Sequence, residues 1–389
     1  MNILFLYSSM NPLNGGIERV TSILFEKFRE DGNNVFCIGM RRDFLEYEES
    51  MIYLPNKIKE NSVENVNFVD SFISANKIKH VIAQIAGPND TSNLLMSLKS
   101  KVQKIVCIHL DILDSKRHYG TSRSTILQKY HLGGLINFLD SKFMGVCLSY
   151  LYTFLKRSRY RELHRKCDKV VLLSRSFIED YEFVVGEKNI SNLISIPNPL
   201  PKFDIKELDK NSARKKTVLY VGRINSSQKK VDYLLKIWNK IYSKHPDWTL
   251  KIVGGGEDLE SLMLMAKDMN LKQYSFEGFQ NPVPYYQEAA IFCMTSSFEG
   301  FGMVLIEAMR FGVVPIAFTS YMSVYDIIDH GNNGMLVNGF DLDKYAATIS
   351  SLITDNDKRL EMSEEAMQAS KKFEIDNVSK IWYELFNEN

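Results

Sequence analysis

The chain has 389 residues, and at about 150 residues per domain that length predicts two domains and excludes a single small module. With 45% of residues apolar and 24% charged, the composition is that of a folded globular protein, which excludes the disordered and collagen-like classes. Lys and Arg number 48 against 47 Asp and Glu, and a formal charge of +1 argues against a protein that coats nucleic acid along its length.

Residues 1–7 carry no basic leader and no small-residue cleavage site, so they read as a first strand rather than a secretory signal. Five cysteines, Cys37, Cys107, Cys147, Cys167 and Cys293, make an odd count without a C-x-x-C pair. Thiols of this kind act as small hydrophobes and predict a reduced, cytosolic compartment.

After the first strand and a turn-rich stretch at 8–14, Gly15-Gly16 opens a helical pattern with Ile17, Val20, Ile23 and Leu24 on one face. Glycine at a strand-to-helix turn lets a ligand approach free N–H groups, although a plain tight turn reads the same way. Neither G-x-G-x-x-G nor G-x-x-x-x-G-K-[ST] is present. Apolar runs at 35–39, 80–85, 104–109 and 169–173 continue the βαβ rhythm of a parallel sheet buried on both faces. His109 ends one of these runs with Asp111 two residues on, at the carboxyl edge where doubly wound folds bind ligands.

Residues 116–166 break the overall neutrality, with eleven Lys and Arg against Asp140 and Glu162. Within them, 132–155 is apolar but interrupted by Asp140, Ser141 and Lys142, short of the ~20 uninterrupted residues of a spanning helix. An interfacial helix on an anionic membrane and a core helix with solvated basic flanks both fit. Nucleic acid is not expected as a partner, because no nucleic-acid-binding motif accompanies the charge.

Three prolines within 196–201, followed by a polar run at 206–216, mark a domain boundary. A second series of runs at 218–222, 249–254, 274–276, 291–294 and 313–317 predicts a second doubly wound domain. Gly222-Arg223 closes its first strand, and Lys229-Lys230 follows a polar loop before a helix over 231–241. Two cations gathered at such a loop suit a multiply charged anion, Arg by its fork and Lys as a point charge, although a solvated basic loop reads the same way.

Residues 296–312 are the most informative stretch. Gly300 and Gly302 permit a turn into a helix with the stripe Val304, Leu305, Ala308 and Met309, stopped by Gly312. Its N-terminus offers N–H donors and a positive dipole end to a phosphate. Glu299 and Glu307 stand eight positions apart, about 12 Å if helical, beyond the ~5 to 9.5 Å of a glycosidase pair. Two carboxylates gripping different hydroxyls of one extended ligand fit better. Asp341-Leu342-Asp343 copies a metal-binding D-x-D but precedes a helical pattern at 344–353, so Asp341 is expected to be an N-cap and no metal site is expected.

Together, Gly15-Gly16, His109, Arg223, Lys229 and the E-x7-E of Glu299 and Glu307 resemble glycosyltransferase family 4, a retaining, nucleotide-sugar-dependent group. Tyr220 to Arg223, Gly254-Gly255-Gly256-Glu257 and Gly331-Asn332-Asn333-Gly334 support the resemblance, which covers nearly the whole chain. It implies an α/β GT-B fold: two doubly wound Rossmann-like domains facing a central cleft, 1–200 on the acceptor side and 201–374 binding the donor. The final helix, about 375–389 with Val378, Ile381, Trp382, Leu385 and Phe386, is expected to pack back on the first domain.

The resemblance also implies roles. Arg223 and Lys229 clamp the donor diphosphate, Glu307 holds the ribose, and Glu299 with the backbone of Phe301, Gly302 and Met303 holds the transferred sugar and its phosphate. Gly15 and Gly16 lie against the diphosphate, His109 lines the sugar pocket, and the loop with Phe279 faces the base. The family has Lys-Gly where this chain has Lys229-Lys230; the six-residue spacing from Arg223 selects Lys229. The expected reaction moves a hexose or N-acetylhexosamine from a nucleoside diphosphate, UDP before GDP, to a glycan acceptor on a lipid, at the cytoplasmic face and without a cofactor. A sugar-nucleotide epimerase of the same fold and a silent partner of another transferase are the alternatives.

Overall fold

The computed structural model describes residues 1–7, 15–39, 51–113, 142–203 and 214–388. The expected turn at 8–14, the basic residues at 116–141 and the polar run at 206–213 lie outside the described residues.

In chain order the first half comprises β1 (Asn2–Leu6), α1 (Gly16–Glu30), β2 (Asn34–Gly39), β3 (Met51–Tyr53), α2 (Val63–Ala75), β4 (His80–Ile85), α3 (Asp90–Ser97), β5 (Gln103–Ile108), α4 (Lys142–Lys166), β6 (Lys169–Leu172), α5 (Ser176–Val185) and β7 (Leu193–Ser195). The second half comprises β8 (Thr217–Val221), α6 (Val231–Asn239), β9 (Thr249–Val253), α7 (Leu259–Asp268), β10 (Tyr274–Gly278), α8 (Val283–Glu288), β11 (Ile291–Met294), α9 (Met303–Arg310), β12 (Val314–Phe318), α10 (Val324–Ile327), β13 (Met335–Val337), α11 (Leu342–Thr354), α12 (Asn356–Ser370) and α13 (Ile375–Asn387).

The described residues form two compact units, one from those within 1–116, 146–202 and 373–389, the other from those within 117–145 and 203–372. The first holds a seven-stranded parallel sheet in the order β3-β2-β1-β4-β5-β6-β7. Every residue of β4 is buried, as helices on both faces of a parallel sheet require. Phe28 of α1 packs its ring against Trp382, Tyr383 and Phe386 of α13, and Lys27 pairs with Asp376 at 2.7 Å. The chain reaches that place through a bridge in which the Leu200 N–H donates to the Phe373 carbonyl at 2.7 Å.

The second unit holds a six-stranded parallel sheet in the order β10-β9-β8-β11-β12-β13. Its core joins Val231, Leu234, Leu235 and Trp238 of α6 to Ile252 of β9 and to Tyr345 and Ile349 of α11. In each sheet the winding direction reverses once, between β1 and β4 in the first and between β8 and β11 in the second. Loops at the carboxyl ends of strands part at such a reversal, which is where doubly wound sheets bind ligands.

Several of the described basic residues of α4 have partners. Arg157 and Arg161 of α4 donate to the Val184 and Val185 carbonyls at 2.9 and 2.7 Å, closing the C-terminus of α5. Arg161, His164 and Arg165 surround Glu187, and Lys166 pairs with Glu162. Among the described residues, Arg157 and Arg161 thus serve the packing of α4 on α5, while Arg159, Arg165 and Lys166 remain exposed.

Candidate functional site

In the second unit the reversal point gathers three loops. The loop after β8 carries Arg223 and Lys229, the loop after β9 is Gly254-Gly255-Gly256-Glu257, and the loop after β11 runs from Thr295 to Gly302.

The first two loops touch backbone to backbone. The Ile224 N–H donates to the Gly255 carbonyl at 2.8 Å, and a Cβ on Gly256 would stand 2.1 Å from the Ile224 carbonyl oxygen. Glycine is therefore required there by close approach. Ser226 N–H donates to the Asp258 carboxylate at 2.6 Å, and the Asn225 side chain reaches Glu257.

The first and third loops are joined by hydroxyl groups. Thr295 Oγ1 donates to the Lys229 and Lys230 carbonyls at 2.9 and 3.0 Å, and the Ser297 N–H donates to the Gln228 carbonyl at 2.7 Å. Gln228 Nε2 returns a bond to the Phe298 carbonyl at 3.2 Å. These contacts fix Lys229 opposite Glu299, with Lys229 Nζ 2.5 Å from Glu299 Oε1. Both side chains are largely buried, 19% and 10% exposed. Burial, and after it the Glu299 charge, push the Tyr220 and Tyr321 phenols well above their usual value.

Arg223 is exposed and, among the described residues, makes no ion pair, while the Tyr220 hydroxyl holds its carbonyl at 2.9 Å. Lys230 turns away: it takes φ +51° at the start of α6 and sets its ammonium 5.4 Å from the Tyr233 ring. Of the two lysines, Lys229 faces Glu299 and Lys230 does not.

Gly302 takes φ +97° before α9, which its missing Cβ permits, and Phe301 is buried with its carbonyl held by Ser323 Oγ at 3.2 Å. The turn delivers the backbone of Phe301, Gly302 and Met303 to a helix N-terminus suited to a phosphate. Glu307, inside α9, is buried and accepts from the Tyr286 hydroxyl at 3.1 Å. Phe279, after β10 and beside Gly255, is 78% exposed, an aromatic face open to stacking.

In the first unit, Gly15 precedes α1 in extended backbone and Gly16 begins the helix. Among the described residues, a Cβ on Gly16 would meet nothing within 4 Å, and one on Gly15 only the flexible Glu18 carboxylate. His109 follows β5 and is buried, its Nε2 bonded to Gln84 Oε1 of β4. Burial pushes its imidazole down to about 3, so the ring is neutral at physiological pH. Asp341 caps α11, accepting from the Lys344 N–H at 2.9 Å, and Asp343 pairs with Lys240 at 2.8 Å. The D-x-D resemblance is thereby a helix start.

Sequence reasoning did not single out Asn225, Gln228, Thr295, Asp258 or Tyr286. A signal was present for Thr295, which begins a run of three hydroxyl residues directly after β11.

Residues 202–369 match the family model described as Glycosyl transferases group 1. A Haemophilus influenzae protein named as an uncharacterized glycosyltransferase is 28% identical over 377 residues, 95% of each chain. A Campylobacter jejuni protein is 24% identical over 391 residues, all of this chain and 99% of that one. It is named as an alpha-1,4-N-acetyl-D-galactosaminyltransferase of a GalNAc- and diNAcBac-bearing PP-undecaprenol. Among solved structures, Anabaena HepE in complex with UDP and glucose superposes with a TM-score of 0.71 at 17% identity, covering 100% of this chain and 99% of its own. The chain thus carries a glycosyl transferases group 1 domain on a GT-B fold, and it is a glycosyltransferase.

Proposed function

We propose that this glycosyltransferase is a retaining enzyme of family 4 that moves a hexose or N-acetylhexosamine from a nucleoside diphosphate, UDP before GDP, to a lipid-linked glycan. The observation that carries the reading is the pairing of Lys229 with Glu299 at the reversal point of the second sheet, with Arg223 exposed on the same loop. One guanidinium and one ammonium offset the charge that builds on the departing diphosphate, in a place where fixed donors act more strongly than in water. In this reading these cations, rather than a metal, do that work.

Glu307, held by Tyr286, takes the ribose hydroxyls, and Phe279 stacks on the base. Glu299 and the N-terminus of α9 take the sugar and its phosphate. Gly15 and Gly16 take part in binding the diphosphate, at the start of α1 where their backbone N–H groups are open to it. His109, neutral, hydrogen-bonds in the sugar pocket rather than acting as an acid. Attack comes from the face the diphosphate leaves, whose phosphate oxygen accepts the acceptor's proton.

A relative named for a PP-undecaprenol-linked glycan supports the lipid-linked acceptor class. Among the described residues no helix is long and apolar enough to cross a membrane. Phe154 and Leu155 of α4, 66% and 65% exposed, stand beside Arg157 and the exposed Arg159, and support peripheral contact with an anionic, cytoplasmic leaflet.

The test is a panel of UDP- and GDP-sugars incubated with lipid-linked acceptors, scoring free nucleoside diphosphate together with transferred sugar. Arg223→Ala and Lys229→Ala should each cost about 10²- to 10³-fold in transfer. Isomerised donor without transfer, or unimpaired variants, would remove the reading.

A further inference from the structure

Lys229 and Glu299 pair directly, and their two backbones are pinned to one another. Thr295 and Ser297 fasten the third loop to the carbonyls of 227–230, and Gln228 fastens the first loop to the Phe298 carbonyl. The ammonium and the carboxylate therefore separate by side-chain rotation and not by the loops drawing apart. A largely buried carboxylate that loses its cation without gaining other donors is costly. A diphosphate that claims Lys229 must leave Glu299 with some replacement.

An intact nucleotide sugar brings the replacement with it, because sugar hydroxyls donate to a carboxylate while the phosphates take the ammonium. The nucleoside diphosphate left after transfer brings phosphates alone, and its negative charge also meets that of Glu299. We propose that Glu299 is a specificity-determining residue that lowers affinity for the spent nucleoside diphosphate relative to the intact donor, by reclaiming Lys229 once the sugar has gone. Product release is thereby favoured with no movement of the fold. This rests on the donor site proposed above.

Calorimetric titration of UDP, with GDP in parallel, into the full chain and into Glu299→Gln and Lys229→Met tests the proposal on whichever nucleotide binds more tightly. Glu299→Gln should bind it about ten-fold more tightly than the native protein, the scale of one charge interaction, and Lys229→Met more weakly. Glu299→Gln binding no tighter, with Lys229→Met weakened, would overturn the discrimination and leave the donor site standing. Lys229→Met binding as the native protein does, or no binding of either nucleotide, would overturn both. Should Glu299→Gln melt early, Glu299→Asp, which withdraws the carboxylate by one methylene, is read against the same outcomes.

Discussion

A Cβ on Gly254 would stand 1.8 Å from the carbonyl oxygen of Gly222, nearer than any real contact allows, and Gly254 itself takes φ +148°. The loop that carries Arg223 closes over β9 only because that position has no side chain. Gly254→Ala must push the Gly222 to Ile224 segment away and should lose about 3 kcal/mol or more of stability, with donor binding impaired. Gly255→Ala is the control, since its Cβ would find ordinary contact with Phe279 at 3.7 Å. Urea denaturation of both variants checks the contrast, and equal midpoints would sink it.

Lys230 occupies a left-handed backbone conformation that costs an ordinary residue about 1–2 kcal/mol, at the position where family 4 is expected to carry glycine. Lys230→Gly relieves that strain but loses the contact with Tyr233 and gains unfolded-chain entropy, each worth about 0.5–1 kcal/mol. These terms nearly cancel, so stability should stay within about 1 kcal/mol of the native value, with donor affinity retained. Lys230→Val, β-branched, should fall by about 2 kcal/mol. Thermal melts rank the two, and a Lys230→Gly that loses nucleotide binding would return the phosphate contact to Lys230.

The runs at 80–85 and 291–294 coincide with β4 and β11, because strands buried on both faces have no reason to alternate. β3, β7 and β13 were not legible: each is three residues long and lies at a sheet edge, too short for a run to stand out. Arg223, Lys229, Glu299 and Glu307 could be named from spacing and resemblance. That Lys229 meets Glu299 could not, since the contact depends on Thr295, Ser297 and Gln228, whose bonds cross about seventy residues of chain. Charge in the 116–166 segment was visible, but not its use by Glu187 and the end of α5, which only the packing of α4 on α5 reveals.

His109 gives the fold a definite pH dependence. Its imidazole lies near 3 in the folded chain because of burial, against about 6.5 when unfolded. Between those values the unfolded state carries the extra proton, so the stability tied to the neutral ring is full above about pH 6.5 and is lost as pH falls towards 3. At pH 5 that loss amounts to about 2 kcal/mol, and His109→Gln should escape it. Urea midpoints at pH 7.5 and 5.0 should therefore fall further for the native chain than for the variant. Since the ring stays neutral across this range, the native activity profile should carry no acid limb that His109→Gln abolishes. Parallel slopes for the two proteins, or a limb near pH 6 that vanishes with the histidine, would mean that the ring titrates and that Gln84 holds an imidazolium instead.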